Sequence, residues 1–308
     1  MFEQTKKTLI TGAHGMVGSC LTEKLKELGY NDLLTPTRHD LDLTDSKQVD
    51  KYIYETRPKY VFHLAAVVGG IQFNIDNPVK MLKDNLKINI NVFESCNKYK
   101  IEKMLYLGSS CTYPAECKQP MKEEYLLTGK LEPTNEGYAL AKIIGLKLAE
   151  YYKKQNGLNV VCLIPPNLYH ENKVADSKSH VLEALVKKIC EAKINSFSNV
   201  IVWGDGESRR ELMHADDIAD AMLYFIDKNP GLINVGTGTD CSIKELMQMI
   251  AEEAEYAGEI VWDKTKPNGM RKKLMNVDKM KGFGFKPKIS IREGIKRSIK
   301  KYMELSKV

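Results

Sequence analysis

Lys7-Thr8-Leu9-Ile10-Thr11-Gly12-Ala13-His14-Gly15-Met16-Val17-Gly18 decides how this chain folds. The short apolar run at residues 7–11 reads as a buried strand, and the apolar periodicity of residues 17–28 reads as a helix. Between them stands G-x-x-G-x-x-G. Glycine lets the backbone turn tightly and approach a ligand, while the free N–H groups and positive end of the helix meet an anion. A strand that turns into a helix through such a loop points to a dinucleotide, with Gly12, His14, Gly15, Met16, Val17 and Gly18 around its pyrophosphate.

Outward from this loop, strands are expected at residues 33–35, 60–64, 103–108 and 159–164, alternating with helices at 46–56, 79–99 and 136–155. Strand and helix in alternation predict an α/β fold, a doubly wound (Rossmann) parallel sheet covered on both faces. After Pro165-Pro166 the pattern changes to a polar segment, a helix at 180–194, a strand at 200–203, a helix at 216–227, a strand at 232–235, a helix at 242–256 and a basic tail. A smaller C-terminal α/β substrate domain, interwoven with the first, is therefore expected. The expected division gives residues 1–165 and 215–237 to the dinucleotide half, and 166–214 and 238–308 to the other.

The chain has 308 residues, 43% hydrophobic and 28% charged, the composition of an ordinary globular protein. Its formal charge is +6, unevenly spread: from Lys264 onward fifteen Lys or Arg face three acids, which leaves the preceding residues at −6. The basic tail lacks interleaved aromatics, so no nucleic-acid partner is expected. Seven scattered cysteines without a C-x-x-C pair indicate neither a disulfide framework nor a zinc site, and suit a reducing cytoplasm. No apolar run is long enough to span a bilayer, so no membrane partner is expected.

Dinucleotide choice turns on the end of the second strand, where an acid accepts from a ribose 2′-hydroxyl and a base meets a 2′-phosphate. Arg38 stands there, a forked donor suited to phosphate, and favours NADP over NAD; a solvated Arg is the plainer alternative. Asp42 is placed nearer the adenine. Tyr138 and Lys142, four apart in a helical stretch, share a face, and an ammonium beside a phenol is expected to lower the phenol's pKa. Ser109 closes the strand at 103–108, where it can hydrogen-bond a substrate carbonyl.

The T-G-x-x-G-x-x-G loop, the Y-x-x-x-K pair and the strand-end Ser together resemble the extended short-chain dehydrogenase/reductase family. Val68-Gly69-Gly70-Ile71, Gly108-Ser109-Ser110-Cys111-Thr112-Tyr113-Pro114, Leu131-Glu132-Pro133-Thr134-Asn135-Glu136, Ser179-His180-Val181, Val202-Trp203-Gly204 and Ile233-Asn234-Val235-Gly236-Thr237-Gly238 carry the likeness to its GDP-L-fucose synthase branch. That resemblance implies NADPH-dependent reduction at C4 of a GDP-4-keto-6-deoxyhexose with epimerisation at C3 and C5. Ser109 would hold the ketone, Tyr138 give the proton, and Lys142 hold the nicotinamide ribose. Cys111 and His180 match the epimerase pair, although a cysteine is also a common small core residue and a histidine a common local hydrogen-bonder. Leu64, Ala65, Ala66, Asn85, Leu107, Pro165, Asn167, Leu168 and His180 would complete the cofactor site.

The resemblance also gives the nucleotide end of the substrate to Lys188, Trp203, Arg210 and Lys272. Trp203 would stack on the base or pack in the core, and Lys272 and Lys273 would meet a diphosphate or simply be solvated. Related 4,6-dehydratases carry an Asp-Glu pair where this chain has Ser110 and Cys111, which argues against dehydration. Two features depart from the pattern. Lys188 and Lys272 replace Arg, and Asn276 replaces an acid. Asn167-Leu168-Tyr169-His170-Glu171-Asn172 lacks the usual Gly-Pro after N-L-Y, which admits a GDP-4-keto-heptose reductase of capsule synthesis as the alternative. The long helices at 79–99 and 136–155 imply a homodimer by the same resemblance.

Overall fold

The computed structural model describes residues 3–172, 181–265 and 270–306. His180 lies outside the described residues.

Near-continuous apolar runs give strands buried on both faces, the signature of a parallel sheet between helices. The first half runs β1 (Thr8–Thr11), α1 (Met16–Glu27), β2 (Leu33–Leu34), α2 (Ser46–Thr56), β3 (Tyr60–His63), α3 (Ile71–Asp76), α4 (Pro78–Lys98), β4 (Lys103–Leu107), α5 (Glu136–Asn156) and β5 (Val160–Ile164). Asp45 caps α2 by accepting from the Lys47 and Gln48 amides, and Gly157 ends α5 in the left-handed conformation.

The second half continues with β6 (Asn167–Tyr169), α6 (Val181–Ile194), β7 (Asn199–Trp203), β8 (Arg209–Arg210), β9 (Leu212–His214), α7 (Ala215–Lys228) and β10 (Leu232–Asn234). It closes with β11 (Cys241–Ser242), α8 (Ile243–Ala254), β12 (Glu259–Asp263), β13 (Lys272–Lys273), α9 (Asp278–Gly282) and α10 (Ile291–Leu305). A capping box between Ser242 and Glu245 starts α8.

Six parallel strands form the main sheet in the order β10-β5-β4-β3-β1-β2. The chain leaves β1 toward β2 and returns on the other side through β3. That reversal opens a crevice at the carboxyl ends of β1 and β3, the place where such sheets bind ligands. Three small sheets, β11-β8-β13, β12-β7 and β6-β9, stand apart from it.

The helices and main strands lie within a residue or two of their expected bounds; the tail differs. Residues 291–305 form an amphipathic helix whose Ile295 and Ile299 are buried against α6 and α8. Its charged face is paired: Arg292 reaches Glu252 and Glu253, and Arg297 reaches Glu293. Part of the basic excess is thus the wet side of a structural helix.

The division into halves also differs. One apolar core joins the main sheet to Met275, Val277, Met280 and Phe285, so the stretch 275–285 packs with the dinucleotide half. The second core holds Tyr169, α6, β7, Leu212, α8 and α10. The β6–β9 ladder straddles both, with Leu212 in the second core and Met213 in the first.

Candidate active site

The glycine loop is built to its closest tolerance. Gly12 sits at φ +75°, and a Cβ there would stand 2.9 Å from the Ala65 backbone. A Cβ on Gly18 would lie 2.1 Å from the Gly12 carbonyl oxygen. Helix α1 starts at Gly15 with no side-chain cap and no acid in its first turn, so its N–H groups stay open to an anion. His14 and Gly15 are exposed beside it, and the His14 ring donates to the Thr35 carbonyl at 3.0 Å, holding the loop to the end of β2. Arg38 is exposed just beyond. These features fit a dinucleotide phosphate lying over α1.

Asp42 is otherwise engaged. Its carboxylate accepts from the amide and hydroxyl of Thr44, which hold it below the usual range. Asn85 turns every polar atom on backbone: its carbonyl oxygen accepts from the Val67 amide at 2.7 Å, and its amide donates to the Val67 and Met81 carbonyls. It therefore shapes the loop that follows β3, where Leu64, Ala65 and Ala66 border the crevice.

A buried relay escaped the sequence reading. The Ala65 amide donates to the Thr11 hydroxyl, which bonds His63 Nδ1 at 2.8 Å. His63 Nε2 meets Asn89 Oδ1 at 3.2 Å, and the Asn89 amide donates to the Ala141 carbonyl at 2.9 Å. Burial drives His63 down to about 3, so the ring stays neutral and serves as a rigid spacer. Strand β1, the loop after β3, helix α4 and helix α5 are thereby registered to one another. A lone histidine inside an apolar strand was the only trace of it in the sequence.

Ser109, Cys111, Tyr138 and Lys142 converge at the carboxyl end of β4. Ser109 caps the short 3₁₀ turn Ser110–Thr112 by accepting from the Cys111 amide at 3.2 Å. The Ser110 amide donates to the Pro165 carbonyl, so this turn is anchored to the end of β5. Asn167 and Leu168 follow in β6. Lys142 is buried and donates to the Leu107 carbonyl at 2.7 Å, with its ammonium 5.9 Å from the centre of the Tyr138 ring.

Contrary to expectation, the Tyr138 phenol is raised above its ordinary value. Burial dominates, the Cys111 thiol adds to it, and the Ser109 hydroxyl opposes it by hydrogen bonding. The ammonium bonds Leu107 and does not offset the desolvation. Burial likewise pulls Lys142 down to about 8. At neutral pH the site presents a protonated phenol and a mostly charged lysine, the forms a proton donor and its supporting cation need.

Cys111 has polar company. The Asn135 amide donates to its sulfur at 3.5 Å, and the Lys273 ammonium stands 3.9 Å away. Lys273 is opposite Arg210 in the β13–β8 ladder, whereas Lys272 is opposite Arg209. The two pairs face opposite ways: Lys272 and Arg209 both reach Asp240, at 3.3 and 2.8 Å. Lys272 is thus committed to an ion pair, and Lys273 is the lysine beside Cys111.

Arg210 is partly buried and donates to the Met270 carbonyl at 2.6 Å. Trp203 is 64% exposed, which excludes the core-packing alternative. Lys188 is exposed on α6 and donates to the Ile201 carbonyl, bringing it beside the strand that carries Trp203.

The pattern of the NAD dependent epimerase/dehydratase family matches residues 8–236. GDP-L-fucose synthase 1 of Arabidopsis thaliana is 40% identical over 307 residues, which cover 99% of this chain and 95% of the relative. GDP-L-colitose synthase of Yersinia pseudotuberculosis is 41% identical over 302 residues, 96% of this chain and 98% of the relative. Among solved structures, a GDP-6-OMe-4-keto-L-xylo-heptose reductase from C. jejuni superposes with a TM-score of 0.91 and 32% identity, covering 99% of both chains. With the open glycine loop, the buried Tyr-Lys pair and a match running through most of its length, the chain belongs to the NAD dependent epimerase/dehydratase family.

Proposed function

We propose that this protein reduces the C4 ketone of GDP-4-keto-6-deoxymannose after epimerising C3 and C5, giving GDP-L-fucose. The observation that carries the reading is the convergence of Ser109, Tyr138 and Lys142 with a Cys111 thiol flanked by Lys273 and Asn135. NADPH supplies the hydride. Ser109 donates to the ketone oxygen, and Tyr138, protonated at neutral pH, gives that oxygen its proton as charge develops. Lys142 holds the ribose of the nicotinamide from the floor of the site.

The protons at C3 and C5 are acidic because each carbon neighbours the C4 ketone. Cys111 as thiolate exchanges them, with Lys273 stabilising the anion. His180, outside the described residues, is the proposed partner base. Arg210, Trp203 and Lys188 take the GDP end: Arg210 forks the diphosphate and the exposed Trp203 stacks on the base. Arg38 receives the 2′-phosphate of NADP.

The likeness to a GDP-L-fucose synthase and a GDP-L-colitose synthase, at 40% and 41% identity, supports this reading. A second reading, a GDP-4-keto-heptose C4-reductase without epimerase activity, is favoured by His170-Glu171 in place of Gly-Pro and by the likeness to the C. jejuni reductase. Turnover of each ketone with NADPH in deuterated water separates them: deuterium at C3 and C5 of the product supports the first, and its absence from a reduced product selects the second. Tyr138→Phe is expected to slow reduction by about 10²–10⁴-fold; full activity in that variant would overturn the assignment.

The exposed apolar residues Ile90 on α4 and Ile144 and Tyr151 on α5 support a homodimer through these two helices. Seven free thiols support a reducing compartment. Among the described residues no helix is long and apolar enough to cross a membrane.

A further inference from the structure

Where the chain departs from its family's pattern, it brings together a cluster that the proposed reaction does not use. His170 and Glu171 follow β6, Cys20 lies in α1, and His214 and Asp216 lie at the start of α7. These donors come from three distant parts of the sequence, so no spacing motif announced them. Cys20, His170 and Asp216 each offer a ligand atom within 4.8 Å of the others, and so do His170, Glu171 and His214.

The imidazole of His170 is the hub. Its Nε2 lies 3.6 Å from Glu171 Oε2 and 3.9 Å from Asp216 Oδ1. Both separations exceed a hydrogen bond. The separation from Asp216 is close to the edge of a tetrahedron, since bonds of about 2.0–2.3 Å to a central zinc set ligand atoms roughly 3.3–3.8 Å apart. His214 is wholly buried and pins the arrangement from behind. Its Nε2 donates to Glu171 at 2.7 Å, while its Nδ1 accepts from the Asp216 amide. A second shell of this kind fixes where a ligating carboxylate points. Cys20 is buried and its thiol bonds Asp216. The other charged groups facing the cluster are Glu23 from α1, Lys24 from α1 and Arg297 from α10, the two cations near enough to offset excess negative charge.

We infer that Cys20, His170 and Asp216 form a three-residue binding site for a zinc-like divalent transition metal whose fourth position is left to solvent, with Glu171 held beside it by His214, and that the metal clamps the end of β6 to α1 and α7. One thiolate, one imidazole and one carboxylate favour zinc or cobalt over calcium or magnesium. Binding expels the Cys20 thiol proton to solvent. The His170 ring proton moves to Nδ1, and the Asn172 amide now bonded to Nδ1 turns to water.

The test uses the full chain after chelation. One equivalent of Co²⁺ is expected to give the visible bands of tetrahedral cobalt and a thiolate-to-cobalt charge-transfer band, both erased by one equivalent of Zn²⁺. Cys20→Ser should lose the charge-transfer band, and His170→Gly, the residue its relatives' pattern carries, should lose both. Zinc should raise the melting midpoint of the parent and leave that of His170→Gly unchanged. Both variants should bind NADPH as the parent does, which shows that they fold. Absence of the bands at one equivalent, their persistence in Cys20→Ser, or their loss in Cys111→Ser instead would overturn the proposal.

Discussion

Replacing Lys142 with Met tests the electrostatics of the site through stability as well as turnover. Burial brings this ammonium from 10.5 to about 8. At about 1.4 kcal/mol for each factor of ten, keeping it charged costs the fold roughly 3 kcal/mol at neutral pH. The sign follows from which state holds the proton. Below pH 8 folded and unfolded chains both carry it, and the cost is full. Between about 8 and 10.5 only the unfolded chain carries it, so this contribution makes the parent more stable as pH rises; above 10.5 the cost is gone. Lys142→Met has no such contribution, and the titrations of all other groups cancel between the two proteins. Urea melts followed by circular dichroism at pH 7.5, 9 and 10 should therefore show the parent gaining on the variant by roughly 3 kcal/mol across that window. The variant should meanwhile lose most of its turnover. Parallel stability curves would refute the reasoning, because they would mean that the ammonium is solvated and that the protonated phenol beside it owes nothing to a dry site.

Lys273→Met should slow deuterium exchange at C3 and C5 by tenfold or more on the scale of a single positioned charge, with reduction of an already epimerised ketone nearly unchanged; equal loss of both steps would place Lys273 elsewhere in the mechanism. Arg38→Asp should reverse the preference between NADPH and NADH in kcat/KM, and an unchanged ratio would remove Arg38 from the 2′-phosphate. Gly18→Ala, whose methyl would strike the Gly12 carbonyl at 2.1 Å, should abolish NADPH binding measured by fluorescence and cost about 1–3 kcal/mol of stability. Since burial brings Lys142 down to about 8, kcat/KM for reduction should fall on a basic limb near that pH, and a limb well above 10 would assign the fall to the phenol.

What could be read from the sequence was local. The glycine loop, the Ser109–Cys111 strand end and the four-residue step from Tyr138 to Lys142 are each written within one element or one turn, where backbone geometry alone sets the relation. Lys273 was not legible in the same way. Its approach to Cys111 depends on β13 lying beside β8, a pairing made by residues more than sixty positions apart, and Lys272 next to it is equally basic. Helix α10 was hidden by its charges, since its buried face is carried by few residues such as Ile295 and Ile299. The direction of the Tyr138 shift was misjudged because spacing tells which groups are neighbours, whereas desolvation depends on everything packed around them.

The mixed composition of the first core has a consequence for how the protein is made. Met275, Val277, Met280 and Phe285 complete the core around the main sheet, yet they are made after β10, the last strand of that sheet. At about 5–20 residues per second, the stretch from the end of β10 to Phe285 takes roughly 3–10 s to be added, and for that time the sheet is assembled but uncapped. Folding of the dinucleotide half therefore cannot finish during its own synthesis. It waits for a segment encoded after β10, so any truncation before Phe285 leaves the sheet's apolar flank open to chaperones or to other chains.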